Sequence, residues 1–258
     1  MSFAFLQYDK WQDQTTVGMP EFKTVAPVEK KEETTPSKIE EEALSEDVYT
    51  FIAVGAYFSP SFLYALAVIL LKYLVYSILV FGVYKKKSDL DFYKYNKVQA
   101  VKFLLIPVAI AMQEDLIHVY AYAANLKYDK KVLKDFPHAT KFKLVLSLLL
   151  RLIDGLFSLA VNFLVMLTTH DSVVQVFLNF AALHFLQSID DVFFVLLTKG
   201  FFGEEMEKMS DKCKHVTFPR RQENGFTKNF DSVLFFLTLI GMIVAYSFVT
   251  HIAEKRAA

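Results

Sequence analysis

The chain has 258 residues, 54% of them hydrophobic, and its formal net charge at neutral pH is zero. A zero net charge gives no basic surface of the kind that binds nucleic acid, and a single cysteine, Cys213, excludes an intrachain disulfide. The apolar residues are gathered in blocks long enough to cross a lipid bilayer. The sequence therefore predicts an all-α fold, a polytopic membrane helix bundle whose main partner is the bilayer.

The N-terminal segment 1–47 is rich in Lys, Glu, Thr and Pro and poor in apolar residues, which is typical of a disordered tail. It contains no apolar core of signal-peptide length, so we expect the first membrane helix to direct insertion. The apolar stretch 48–58 is too short to span a bilayer and ends before Pro60. We interpret it as an interfacial helix and place the transmembrane bundle in 48–258.

Five longer apolar stretches predict transmembrane helices of about 20 residues or more. Within the second stretch, Pro107 predicts a kink. The short turn THDS joins the third and fourth stretches and predicts an antiparallel helical hairpin, and the polar segment 204–215 predicts a short surface helix. The five stretches are 61–84, 98–126, 144–169, 173–198 and 231–252.

The basic residues of the loops predict the orientation of this bundle. With five spans, the N-terminus and the loops 127–143 and 203–228 lie on one side, and those two loops carry most of the basic loop residues. The positive-inside rule then places the N-terminus in the cytosol, or its topological equivalent, and the C-terminus across the membrane. The type of membrane stays open.

Charged and polar side chains interrupt the predicted spans between 61 and 198. On a helical wheel they gather on one face of a span, and the helix lengths place most of them in a shared layer roughly 12 Å from the cytosolic end. Charged groups inside a membrane are costly, so such residues are candidates for a functional site. The candidates for an ion or proton site are Glu114, Asp115, His118, Asp154, His184, Asp190 and Asp191, and the candidates for structural ion pairs are Lys72 and Arg151.

Lys72 lies near the middle of the first predicted span, about twelve residues from either end, which is too deep for its ammonium to reach a surface. We expect Glu114 to be its partner. Arg151 is expected to pair with an aspartate, and Asp154 at position i+3 is a candidate.

The candidate site carries an excess of negative charge. Five carboxylates stand against the two basic side chains, so the formal balance is 2 − 5 = −3 with both histidines neutral. An unpaired carboxylate in a low-dielectric interior costs several kcal/mol, so the sequence predicts that some of these groups are protonated, hydrated or bound to a cation. This pattern favours the handling of protons or cations, as transport or ion coupling.

Two other functions stay open. In a non-catalytic accessory subunit of a larger membrane complex, the same charges would be hydrated or would pair with another subunit, either a different membrane protein or a second copy. In a metal-dependent membrane enzyme, Glu114 and His118 would share a metal with His184 and Asp191. The sequence has no Walker loop and no selectivity-filter signature, and it predicts no catalytic residue and no cofactor beyond a bound cation.

The segment LNFAALHFLQSIDDVFFVLLTKGFFG, with LRLIDG upstream, resembles a set of uncharacterised multi-pass membrane proteins of algae and other protists. In that set an LNFxALxFI motif is followed by a DD pair and a G-x-FG end. Here the end is Gly200, Phe201, Phe202 and Gly203, and His184 stands where an acidic residue is common. The resemblance implies a membrane protein built round these helices, and it implies no catalytic role.

Overall fold

The computed structural model of the chain describes residues 41–85, 96–169, 172–221 and 229–257. The predicted tail lies outside the described residues over 1–40. The described segments are mostly helical and form only two short strands, which confirms the predicted fold class. In chain order the elements are β1 (Glu41–Ala43), α1 (Val48–Val54), α2 (Pro60–Lys85), α3 (Asn96–Ala111), α4 (Glu114–Asn125), a 3₁₀ helix (Lys130–Lys134), α5 (Lys141–Thr168), α6 (Val173–Gln187), α7 (Ile189–Thr198), α8 (Glu204–Cys213), β2 (Thr217–Pro219) and α9 (Phe230–Ala257).

Within the described segments, three helices are long and apolar enough to cross a membrane, namely α2, α5 and α9. A fourth span results if α6 and α7 are counted together, because they meet at Ser188 with a bend of 43°. The remaining predicted span, 98–126, is not one helix, since α3 continues past Pro107 but ends before Met112 and Gln113. The chain is an integral membrane protein, and two of its predicted spans are interrupted.

Each interruption is followed by an acidic pair. α4 begins with Glu114 and Asp115, and α7 carries Asp190 and Asp191 in its first turn. A carboxylate near a helix N-terminus is stabilised by the helix dipole and by the free backbone N–H groups there. The acidic pairs therefore favour the start of a new helix over the continuation of the previous one.

The first described segment begins with the strand β1 and continues into the buried helix α1. β1 pairs with β2 in an antiparallel register, and α1 then lies inside the bundle, where each of its residues is at most 2% exposed. Two predictions are wrong here. Residues 41–47 form a strand and a helix cap rather than a disordered tail, and 48–54 is a buried helix rather than an interfacial one.

Charged side chains of α5 hold both ends of α1. Asp47 accepts hydrogen bonds from two backbone N–H groups in the first turn of α1 and also binds Arg151. At the other end, the ammonium of Lys143 donates to the carbonyl of Gly55. Because Lys143 precedes Arg151 on α5, α1 runs antiparallel to α5. A helix this short is not stable alone, so burial and these two contacts keep it folded.

The helices α4 and α5 approach each other closely at Gly155. A Cβ added there would lie 2.9 Å from the Cβ of Leu116 and 3.0 Å from its backbone nitrogen, so a larger residue would push the helices apart. Leu116 and Gly155 are the sequence neighbours of Asp115 and Asp154. This close contact therefore brings the two carboxylates to the same place in the bundle.

The loops that follow α4 and α8 lie at the same end of the bundle. Leu126 forms a β-bridge with Arg220, and the N–H of Lys127 donates to the carbonyl of Pro219. The predicted surface helix in 204–215 is present as α8. From this end, α9 rises for about 40 Å, which is long enough to carry the C-terminus to the opposite side.

Cys213 at the end of α8 makes this topology testable. The thiol is buried, and burial raises its pKa to about 12, so the folded chain should not react with a membrane-impermeant maleimide near neutral pH. On this background we expect the exposed positions Lys134→Cys and Lys212→Cys to be labelled from one side of sealed vesicles, and Lys255→Cys from the other. Labelling of positions 134 and 212 from opposite sides would contradict the fold.

Candidate functional site

The centre of the bundle holds the ammonium of Lys72, which is 1% exposed. Its Nζ lies 2.6 Å from Asp154 Oδ2, 2.8 Å from Asp190 Oδ1 and 3.3 Å from Asp115 Oδ2. It also donates a hydrogen bond of 3.0 Å to the backbone carbonyl of Gln187. Three carboxylates and one carbonyl thus surround a single buried positive charge.

The two helix interruptions supply most of these groups. Asp115 and Asp190 lie in the first turns of α4 and α7, and Gln187 is the last residue of α6, at an end where helix carbonyls lack intrahelical partners. Carboxylates at helix N-termini and a cation at a helix C-terminus each oppose the local helix dipole. The interruptions therefore create a favourable position for both signs of charge around Lys72.

A second buried cation, Arg151, lies beside the first. Its Nη2 is 2.5 Å from Asp47 Oδ2, and its Nη1 is 3.8 Å from Asp115 Oδ1. The ring of Tyr49 lies against both cations, with its centroid 4.8 Å from Arg151 Cζ and 5.9 Å from Lys72 Nζ, and an aromatic face attracts positive charge. Asp115 and Tyr49 therefore connect the two cations into one cluster.

This cluster, named the Lys72 cluster below, comprises Lys72, Arg151, Asp47, Asp115, Asp154 and Asp190. Its four carboxylates and two basic groups give a formal sum of 2 − 4 = −2. Because an unpaired buried carboxylate costs several kcal/mol, the cluster favours the protonation of a carboxylate or the binding of a cation.

A cavity of about 160 Å³ borders the Lys72 cluster. It lies between the two interruptions, so that Gln113 and Ser188 are both on its wall. Among the described residues, no lysine or arginine lines it, which makes it attractive to cations. Its ionisable lining residues are His118, His184, Glu46, Asp47, Glu114, Asp115, Asp190 and Asp191.

Two side chains on the cavity wall have buried polar atoms that lack a hydrogen-bond partner within the described part of the chain. They are Gln113, through Nε2, and His184, through Nδ1. The hydroxyl of Tyr49, whose ring lies against the two cations of the Lys72 cluster, lacks a partner in the same sense. Buried polar groups in proteins are nearly always hydrogen-bonded, so these atoms mark positions where water or a ligand would bind.

The structure brings all the sequence candidates together, in two groups. Three carboxylates contact Lys72 directly, while the other four candidates line the cavity, where His118 Nδ1 also lies 3.2 Å from Arg151 Nη1. In the described segments, no group of three His, Cys, Asp or Glu side chains is placed to hold a metal ion while the Lys72 ammonium lies between Asp115, Asp154 and Asp190. The metal that Glu114, His118, His184 and Asp191 would share in a membrane enzyme therefore stays a hypothesis.

The predicted pair of Lys72 with Glu114 is wrong. A new helix begins at Glu114, so its side chain is exposed, and the following aspartate faces the ammonium instead. Arg151 pairs with an aspartate as predicted, but that aspartate is Asp47, because Asp154 is held by Lys72.

Three residues at the site, Asp47, Tyr49 and Gln113, were not among the candidates predicted from the sequence. Asp47 directly precedes the apolar run VYTFIAV, and an Asp in that position is a signal for a helix N-cap. That signal could have identified a helix start within the predicted tail. For Tyr49 and Gln113 no comparable signal exists, since their roles depend on contacts between helices.

A double-mutant cycle tests the partners of Lys72. Lys72→Met should lower the free energy of unfolding by on the order of 3 kcal/mol, because three carboxylates lose a shared counter-charge. Adding Asp154→Asn should recover part of this loss, because it removes one of those carboxylates. Adding Glu114→Gln, the matched control, should recover none. Unfolding of the purified variants in detergent measures these values, and equal recovery by both second changes would contradict the geometry.

Two substitutions separate the roles of Asp47. Asp47→Asn preserves a capping side chain for α1 but removes the charge that faces Arg151, so it should destabilise the protein by on the order of 3 kcal/mol. Asp47→Ala also removes the cap and should cost about 1 kcal/mol more. The same unfolding measurement applies. If the Asn variant were as stable as the wild type, the ion pair would contribute nothing to stability.

Comparison of the chain with protein-family models, with curated proteins and with solved structures gives no match. The resemblance of the 178–203 segment to membrane proteins of algae and other protists therefore stays a prediction. The Lys72 cluster and its cavity are the features of this integral membrane protein that bear on its function.

Proposed function

We propose that the protein takes up and releases protons or small cations at the Lys72 cluster, as part of ion-coupled transport across a membrane. The observation that carries this proposal is the excess of buried carboxylates beside an acidic cavity. Two of these carboxylates, Asp115 and Asp190, contact Lys72 and also line the cavity. They connect the buried charge to the acidic cavity.

Charge uptake at these carboxylates would alter helix packing. A proton in the cavity reaches Asp115 or Asp190 first, because Asp154 does not line the cavity. Protonation of either group removes one ion pair of Lys72 and leaves the others in place. Since the groups lie on α2, α4 and α7, the change alters the contacts between these helices, and a ligand shifts a conformation only through such differences.

The interrupted helices support a transport function, because transporters contain similar interruptions. Broken helices within membrane bundles occur where the backbone is buried in protein or lines a wet cavity. In many transporters, the ends of half-helices form the substrate and ion sites. Here the interruptions at Gln113 and Ser188 border the same cavity.

A second candidate is a non-catalytic subunit of a larger membrane complex. The surface of α9 favours it, because only 11% of the most apolar stretch of this helix is buried. Four of its large apolar side chains are exposed, namely Phe236, Ile240, Val244 and Phe248. Lipid or a partner protein would cover this surface. In this case the Lys72 cluster would act in folding alone.

Flux measurements in reconstituted vesicles distinguish the two candidates. The wild type should carry protons or small cations. Asp115→Asn and Asp190→Asn should reduce the flux on the order of 100-fold, because an amide keeps the shape of a carboxylate but cannot accept the proton. The control Asp211→Asn, on the exposed face of α8, should leave the flux unchanged.

Wild-type vesicles that pass neither protons nor metal cations at any pH would end the transport proposal. The size and composition of the particle in mild detergent would then decide the second candidate. Recovery of the chain solely within a large heteromeric complex would support it, and recovery as a monomer would contradict it.

A further inference from the structure

The ammonium of Lys72 has more oxygen partners than N–H donors. An ammonium carries three N–H groups, whereas oxygens of four residues lie within 3.3 Å of Nζ. Carboxylate and carbonyl oxygens are also the ligands that hard metal cations bind. The set of oxygens is therefore larger than a lysine needs, and it is of the kind that holds a free cation. Its members are Asp115, Asp154, Asp190 and the carbonyl of Gln187.

This set of oxygens is open to the cavity. Asp115, Asp190 and Gln187 contact the ammonium and also line the cavity. Lys72 approaches from the other direction, because none of the described lining residues belongs to α2. A cation that enters the cavity therefore meets oxygens that Lys72 already occupies.

We propose that the Lys72 ammonium fills a cation-binding site formed by Asp115, Asp154, Asp190 and the Gln187 carbonyl, and that it thereby excludes free metal cations. The species exchanged at these carboxylates is then the proton, a statement that rests on the proposed function. With the ammonium present, the three carboxylates give a sum of 1 − 3 = −2. Without it the sum is −3, so a monovalent or divalent metal cation would restore much of the balance.

Lys102 shows that burial of a lysine does not by itself create such a site. It is 1% exposed, as is Lys72, yet it forms no ion pair with any residue that the structure describes. It lies on α3 and carries the same side chain at the same degree of burial. Lys102 is therefore a matched control for the removal of Lys72.

Truncation of Lys72 in the purified full-length protein tests the proposal. Lys72→Ala should lower the Tm in detergent, and K⁺, Na⁺ or Ca²⁺ should raise it again in a saturable way, by about 5 °C at 100 times the Kd. Choline chloride at equal ionic strength controls for screening and should have no such effect. The wild type and Lys102→Ala should show no saturable response to these metal cations.

A second variant keeps the test decisive if Lys72→Ala cannot be recovered in folded form. Lys72→Ala combined with Asp154→Asn retains the formal sum of −2, because one cation and one carboxylate are removed together. It also retains Asp115, Asp190 and the Gln187 carbonyl on the cavity side. The same saturable rise in Tm with metal cations is expected for it.

Two results would overturn the proposal. One is a saturable response of the wild type to metal cations that equals the response of the truncated variant. The other is a truncated variant that responds to n-propylammonium, which replaces the lost part of the lysine, but to no metal cation. Because Tm reports binding without transport, vesicles that carry no flux would contradict the proposed function while leaving the cation site intact.

Discussion

The ammonium of Lys72 is the group on which the rest of the structure depends. A lysine in the middle of a membrane helix is costly, and α2 tolerates it because carboxylates arrive from α4, α5 and α7. Asp115 and Asp190 lie in the first turns of α4 and α7, so each of these helices begins at the depth of the lysine. This position of the helix starts accounts for the interruptions beside Gln113 and Ser188. The carboxylates outnumber the ammonium, so a second cation, Arg151, lies next to it and is matched in turn by Asp47.

The two cations have different tasks because of their chemistry. A guanidinium stays protonated in proteins, and its planar fork binds a carboxylate in a fixed geometry. The guanidinium of Arg151 binds Asp47 and thereby holds the N-terminus of α1 inside the bundle. An ammonium is a compact charge on a flexible stem, so Lys72 is able to shift among its oxygens when one of them is neutralised. The rigid and the adjustable parts of the cluster meet at Asp115.

The helical membrane fold and the residues near the site were predictable, because apolar blocks and polar positions on one helix face are local patterns. The partners were not. A helical wheel assumes an unbroken helix, and the interruption before Glu114 resets the rotation of every later residue, which exposes Glu114 and turns Asp115 inward. Asp47 was missed because composition averages over a segment, whereas α1 is stabilised by tertiary contacts with Lys143 and Arg151 on α5.

Each of the three carboxylates around Lys72 lies on a different helix. The one that is protonated would therefore decide which helix loses its ion pair with Lys72. Asp154 does not line the cavity, so its ion pair with Lys72 persists whether Asp115 or Asp190 is protonated. The contact between α5 and α2 is therefore retained. Of the two carboxylates that protons reach, Asp115 belongs to a helix that is also held by the close contact at Gly155. Neutralisation of Asp190 therefore affects α7 more than neutralisation of Asp115 affects α4. Under the proposed function, α7 is the element expected to move, and its first turn lies on the cavity wall.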